Sequence, residues 1–418
     1  MIYDAVIVGA GMAGLSATLR LAQAGRRVLC VAKGLGALNL SPATIDVLGY
    51  APGPVTRPDE ALQGFIEDSS DHPYARIGVQ SIHDSLDWFK RALPAPRYVG
   101  DLSRNFLLPT AVGAAKPSAM LPQTMASGDT SLGGHILLVG IHSYKDFWPA
   151  LAAANLSAHQ EGGVEAEATV IDVPTGGEAD AGSLGLARSF EQLEFRTEVA
   201  KRVGERLDGA TAVGFPAVLG LRNSDRVWEE LESRLERPVF EIPTPPPSVP
   251  GMRLFRAFKA AISQAGGRVV VGPSVTGAEV SGGRVRALVG EASLRPVRYE
   301  TRTAVLATGG WASGGLVMDS HRNVNEPVFD LPVAGAPEPA KLLFAPGYFE
   351  SQPLARSGIA VDDGLRPIDE AGRPVIDNLY VAGAMLAGAE PWREKSGDGI
   401  SLSSGYKIAG AILAEEAS

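Results

Sequence analysis

The sequence predicts an α/β chain in which a Rossmann-like domain, a parallel sheet plus a β-meander, carries an inserted second α/β domain. Three observations predict it. A complete G-x-G-x-x-G lies between two strand-like runs within the first 34 residues. A helix, a strand, a meander and a strand ending Ala307-Thr308-Gly309-Gly310 follow far downstream. Between them the composition changes to proline turns, short helices and apolar runs.

The first element is YDAVIV at residues 3–8, a mostly apolar run of the kind that makes a buried parallel strand. Gly9-Ala10-Gly11-Met12-Ala13-Gly14 comes next and leads into a helical pattern closed by Gly25. RRVLCVA at 26–32 reads as the second strand. In this context Gly9 permits a tight turn, Gly11 lets a pyrophosphate approach the backbone, and Gly14 lets helix and strand pack closely. The helix N-terminus then offers unpaired N–H groups and partial positive charge to a phosphate. Such sites place Asp or Glu at the tip of the second strand to hold ribose hydroxyls. Here that tip reads Val31-Ala32-Lys33-Gly34, and a lysine cannot accept those hydrogen bonds.

The stretch 34–46 is rich in small and hydroxyl residues. In two-domain flavoproteins the corresponding segment passes the ribityl chain and ring, which makes Lys33, Gly34, Ala37, Leu38, Asn39 and Ser41 candidate cofactor contacts, with Thr44 beside them. Ser41-Pro42 also reads as a helix cap followed by proline at the first helical position. Residues 51–250 are expected to form the inserted domain. It contains a helix over 81–93, a strand over 135–141, a helix over 197–207, a strand over 210–219 and a stiff proline loop over 241–251 as the return hinge.

A helix over 252–266, a strand over 268–271 and β-prone runs with Gly282-Gly283 and Gly290 turns lead to a buried strand over 302–307. That strand delivers Thr308, Gly309 and Gly310 to the cofactor. A final Asn378-Leu379-Tyr380-Val381-Ala382-Gly383-Ala384 precedes a helix opening at Gly399-Ile400-Ser401 and running to 414. Flavoproteins of this kind carry Asp where Ala384 stands, to hold ribityl hydroxyls; Gly383, Ala384, Gly399, Ile400 and Ser401 complete the candidate set. The flavin-binding domain is thus expected at 1–50, 251–320 and 356–418, with 51–250 and 321–355 forming the other.

A net charge of −9 without a long Lys/Arg block gives no support to nucleic-acid binding. Cys30 is the single cysteine, so the chain makes no intrachain disulfide and cannot ligate an iron–sulfur cluster by itself. Residues 210–221, the longest apolar candidate, are too few to span a membrane and contain a proline. The expectation is a cytoplasmic protein, attached to the inner face of the cell membrane only through a partner. His72, Arg76, His142, Lys145, Arg253 and Arg393 are candidate cations for an anionic substrate. Their spacing forms no catalytic constellation, no metal pattern is present, and no catalytic base is assigned.

The stretches KGLGALNLSPATIDVL (33–48), DHPYARIG (71–78), LLVGIHSYKDF (137–147), IPTPPPSVPGMRL (242–254), TAVLATGGWASGGL (303–316), NEPVFDLPV (325–333) and DNLYVAGAMLAG (377–388) carry a more specific likeness. From end to end the chain resembles the B-subunit family of anaerobic glycerol-3-phosphate dehydrogenase. Lys33 and Ala384 also look like that family. The resemblance implies a three-part enzyme. An FAD-bearing subunit oxidises glycerol 3-phosphate to dihydroxyacetone phosphate, and an iron–sulfur subunit passes electrons to membrane quinone. The chain of the present type carries a flavin, described as FMN, and relays electrons from one to the other. FMN fits the missing ribose acid, its one phosphate lying near 11–14; FAD is the alternative. Two other readings stay open: a structural subunit with a degenerate flavin site, and a stand-alone flavin-dependent dehydrogenase or reductase of a small acid.

Overall fold

A computed structural model describes residues 1–158, 163–175, 179–338, 341–347 and 350–415. Tyr3–Val8 forms β1, with only Asp4 less than fully buried, and Met12–Gln23 forms α1. The all-buried β2 (Val28–Ala32) lies parallel to β1, with Ala5 opposite Val28 and Val8 opposite Val31. Three helices follow: α2 (Pro58–Asp68), α3 (Pro73–Ile77) and α4 (Val79–Ala92).

The chain next builds a sheet of different design. Its elements are β3 (Gly134–Ile141), α5 (Pro149–Ala158), β4 (Val164–Ile171), α6 (Ser183–Ser189), α7 (Leu193–Gly204), β5 (Ala212–Pro216), α8 (Ser224–Leu235), β6 (Val239–Ile242) and α9 (Val249–Gln264). The four strands are all parallel in the order β6-β5-β3-β4. Such a sheet requires helical crossovers; β5 and β6 are wholly buried, whereas β4 is buried only at its two ends. Phe190, Phe215, Phe240 and Leu231 fill its core.

The return leg is β7 (Arg268–Val271), β8 (Ser274–Ser281), β9 (Arg284–Ala292), β10 (Arg295–Leu306), β11 (Leu379–Val381) and α10 (Gly397–Glu415). Together with the first two strands it forms a seven-stranded sheet in the order β7-β2-β1-β10-β9-β8, with β11 also on β10. One strand serves two arrangements. Residues 295–300 of β10 run antiparallel to β9, and 303–306 run parallel to β1, Val8 facing Leu306. The expected strand over 302–307 is therefore the second half of a longer one, because its exposed polar first half carries no burial pattern.

Contacts divide the chain into one unit of Met1–Ala37, Asp46–Ala92 and Phe258–Ser418 and another of Leu38–Ile45 and Leu93–Ala257. This differs from the expected boundaries in four places. Residues 46–92 lie with the first unit, since Ile82, Ser85, Leu86 and Phe89 make a buried stripe on α4, and α4 packs on α10. Residues 321–355 lie there too: Val333–Ala334 pairs with Gly358–Ile359, and the Gln352 N–H donates to Glu390. Residues 38–45 fall in the second unit, where Ile45 bridges Met120 and the Ser248 N–H donates to the Asn39 carbonyl. No helix follows Ser41-Pro42; Ser41 Oγ accepts from the Ala43 N–H in a local turn. The proline loop is confined to 243–248, because Glu241 and Ile242 end β6 and Pro250 sits in the first turn of α9. It is not the expected return hinge: 251–257 also fall in the second unit, and the chain passes to the first within α9.

Arg253 is spent inside the second unit. Its Nη1 and Nη2 lie 2.6 and 2.9 Å from the Glu241 carboxylate, while Nε donates to the Gly220 carbonyl. Glu241 also accepts from Thr124 Oγ1 and the Leu219 N–H, so the buried pair is fully satisfied. Arg253→Met should strand that carboxylate and cost about 3–5 kcal/mol of stability, measured by urea unfolding.

Candidate functional site

Ala32, Val8, Leu306 and Val381 end neighbouring parallel strands of the first unit, so four chain segments leave the sheet side by side. Gly9 turns out of β1 at φ +116°, its N–H donating to the Val31 carbonyl. A Cβ there would stand 2.1 Å from the Ala307 carbonyl oxygen, and one on Gly14 would stand 2.0 Å from the Gly9 carbonyl oxygen. Glycine is required at both places by backbone approach alone. Gly11 differs: a Cβ built on it meets nothing within 4 Å. It is the N-cap of α1, no side chain caps that helix, and the first turn contains no acid. Met12 and Ala13 are nonetheless 5% exposed. A buried helix start without a side-chain cap is a ready anion seat.

The opposite wall comes from two loops. Thr308 Oγ1 is buried with no hydrogen-bond partner. Gly310 packs on the Ala384 carbonyl, 2.6 Å from its own Cβ position. The Gly383 N–H donates to Ser404 Oγ at 2.9 Å, and Ser401 Oγ lies 3.4 Å from the Gly383 Cβ position. Gly405 of α10 sits on α1, its Cβ position 2.2 Å from the Ala13 carbonyl. The structure thus gathers Gly9, Gly11, Met12, Ala13, Gly14, Thr308, Gly309, Gly310, Gly383, Ala384 and Ser401 into one locus.

Other expected contacts are placed differently. The Gly399 N–H donates to the Asp46 carbonyl at 2.9 Å, and a Cβ there would meet Tyr74 Oη at 2.3 Å. Ile400 is buried, and its N–H donates to the Ser396 carbonyl. Both residues serve packing at the start of α10. Lys33, Gly34 and Ala37 are exposed beyond β2, and residues 33–37 include no Asp or Glu. Leu38, Asn39 and Ser41 are held by contacts within the second unit.

A buried cluster sets the opening of α10. His72 is 1% exposed, and its Nδ1 accepts from the Tyr74 N–H, so Nε2 carries the proton that it shares with Glu394 at 3.2 Å. Glu394 also accepts from Ser396 Oγ at 2.7 Å and from the Glu390 N–H. Tyr74 Oη donates to the Val47 and Ser396 carbonyls, and burial pushes this phenol well above its ordinary pKa. For Glu394, burial pushes the carboxyl up, but the hydrogen bonds from His72, Ser396 and the Glu390 N–H leave it below its ordinary value.

The remaining candidate cations are similarly engaged. Arg393 pairs with Glu390 at 3.0 Å, Lys145 Nζ donates to the His142 carbonyl, and Arg76 pairs with Asp363 at 3.0 Å. His142 is exposed. Among the described residues no cluster of His, Cys, Asp and Glu has the geometry of a metal site.

An open, uncapped helix start, glycines that admit only backbone, and an orphaned hydroxyl on the segment that leaves β10 beside them fit a flavin phosphate and its polar chain. Residues 4–400 match the family model described as an FAD binding domain. Fold and site therefore define a flavoprotein of the FAD-binding oxidoreductase class. The chain is 34% identical to the probable anaerobic glycerol-3-phosphate dehydrogenase B-subunit of Halobacterium salinarum, over 99% of this chain and 98% of that one. Identity is 32% to the B-subunit of Pectobacterium carotovorum and 30% to that of Vibrio cholerae, over 99% of this chain and 99% and 97% of theirs. It belongs to the B-subunit family of anaerobic glycerol-3-phosphate dehydrogenase. A solved 3-ketosteroid delta1-dehydrogenase from Sterolibacterium denitrificans aligns over 99% of this chain and 100% of its own at 11% identity, with a TM-score of 0.46.

Thr308→Val should weaken flavin retention about three- to tenfold while leaving the flavin-free chain as stable or slightly more so, because it removes an unpaired buried hydroxyl. Flavin content after dialysis and melting of the apoprotein read the two effects. Glu394, with a depressed folded pKa, contributes stability above the ordinary carboxylate range that is lost as pH falls through its folded value. Glu394→Gln should flatten this acid limb in melting measured from neutral to acid pH.

Proposed function

We propose that the chain is the flavin-bearing, electron-transferring subunit of an anaerobic glycerol-3-phosphate dehydrogenase. The whole enzyme converts glycerol 3-phosphate to dihydroxyacetone phosphate. This chain works between an FAD-bearing dehydrogenase subunit and an iron–sulfur subunit that leads to quinone. The observation that carries the reading is the near-full-length relation to proteins named as the B-subunit, on a chain whose 9–14, 308–310 and 383–384 stretches meet at one locus. Cys30 supports a division of labour. Its thiol is buried, lies 3.4 Å from the Gly9 carbonyl and is pushed up to about 12 by burial, so it serves neither as cluster ligand nor as redox group.

A bound flavin would supply the redox chemistry. This chain's part is to seat the phosphate on the first N–H groups of α1, to hydrogen-bond the polar chain through Thr308, and to shape the wall with the Gly383 turn that Ser404 holds. We read the flavin as FMN, because an exposed lysine stands where a ribose-binding acid belongs; the family model's description speaks for FAD. No helix among the described residues is long and apolar enough to cross a membrane, so attachment to the inner membrane face would come through the partners.

The test is purification from cells co-expressing the partner subunits, followed by acid release of the cofactor and chromatography. Co-purification with a second flavoprotein and an iron–sulfur chain, with FMN released from this subunit, is the expected result. FAD in this subunit would overturn the FMN assignment. A colourless subunit in an intact complex would leave only a scaffold, and a stable, active monomer would sink the relay reading.

A further inference from the structure

The first unit contains a cavity of about 240 Å³, whose walls include Asp71, Arg76, Arg356, Ile359, Leu386 and Gly388. This is below the roughly 300–1,000 Å³ of pockets for drug-sized ligands, and it suits a triose-sized molecule rather than a nucleotide. Its floor is apolar and its charged groups include two arginines, each held by an exposed carboxylate. Arg356 Nη2 lies 2.5 Å from Asp71, which is 64% exposed, and Arg76 Nη1 lies 3.0 Å from Asp363, which is 84% exposed. Solvent-exposed pairs of this kind are weak. A guanidinium has five N–H donors and prefers planar, two-point contact with phosphate or carboxylate oxygens. Each arginine is therefore held in place by a partner that an anion can displace.

The cavity is also tied to the flavin locus through shared loops. Its Leu386–Gly388 wall continues the Gly383–Ala384 turn. The Gly388 N–H donates to the Arg356 carbonyl at 2.9 Å, and Gly388, at φ +101°, packs on the Asp71 carbonyl. On the other side Trp311, in the loop after Gly310, donates from Nε1 to the Leu354 carbonyl at 3.0 Å and lies 3.2 Å from Ser357 Oγ. Those two residues bracket Arg356. Both loops that wall the flavin locus thus also fix the position of this arginine.

We propose that this cavity is a subsite for a small phosphomonoester, with Arg76 and Arg356 neutralising its dianion and Asp71 and Asp363 acting as resting counter-ions. This rests on the reading above and extends it, since it gives the electron-transfer subunit a place for a substrate-sized ligand of its own. Two guanidinium groups match the charge of a phosphate dianion; a monocarboxylate would leave one of them with its aspartate.

The experiment is calorimetric titration of the flavin-loaded, full-length chain at low ionic strength, where screening of the arginines is least. The probes are glycerol 3-phosphate, inorganic phosphate and glycerate, a monocarboxylate of similar size. Expected is saturable binding of glycerol 3-phosphate at about 1 mM, competition by inorganic phosphate, and little competition by glycerate. Arg356→Gln and Arg76→Gln should each weaken binding about tenfold, and Asp71→Asn should strengthen it several-fold, with melting temperature and flavin content near those of the parent. The opposite signs at Arg356 and Asp71 separate a site from general damage. No binding below about 10 mM, or arginine variants that bind like the parent, would overturn the site. Glycerate competing as well as phosphate would overturn the phosphomonoester class. None of these failures alters co-purification with the partner subunits, so the two readings fall separately.

Discussion

The Ala307 carbonyl stands where a side chain on Gly9 would begin, the Gly9 carbonyl where one on Gly14 would, and the Ala13 carbonyl where one on Gly405 would. These three approaches hold β10, β1, α1 and α10 against each other at backbone distance. These contacts are backbone to backbone, so their spacing is not set by a choice of rotamer. The proposed cofactor locus is built on them. Gly11 is the glycine of the motif whose missing side chain leaves open space, and it caps the positive end of the α1 dipole.

The second unit follows different rules. Its sheet is wholly parallel and its core is dominated by phenylalanines and branched aliphatics, with Glu241 and Arg253 as an enclosed polar knot. Such a knot adds little net stability compared with an apolar filling, but it punishes any arrangement that leaves one partner alone. Around the carboxyl end of β6 it ties together the loop after β5, Thr124 and α9. This positions connections whose prolines and glycines would otherwise define their path loosely.

Much of this was legible in the sequence where the requirement is local. The first βαβ unit, the meander, the strand 379–381 and the last helix follow from apolar runs and glycine turns, and the 9–14, 308–310 and 383–384 stretches do meet at one locus. What the sequence did not disclose depends on partners far away in the chain. The stripe on α4 says that the helix is buried, not against which element. Arg356 meets Asp71 across 285 positions and His72 meets Glu394 across 322, so no spacing rule reveals either. Gly399 reads in sequence as a cofactor-contacting helix start; the Asp46 carbonyl, invisible to any local pattern, takes its N–H.

Cys30 has a practical consequence of a different kind. The chain's single thiol is enclosed in β2 and held in its protonated form far above neutral pH. A maleimide-bearing dye or spin label will therefore find almost no native target on the folded protein. Any surface position changed to cysteine becomes a unique attachment point without first removing the natural residue. Distances between chosen points on the two units can then be measured in solution, with the native strand left untouched.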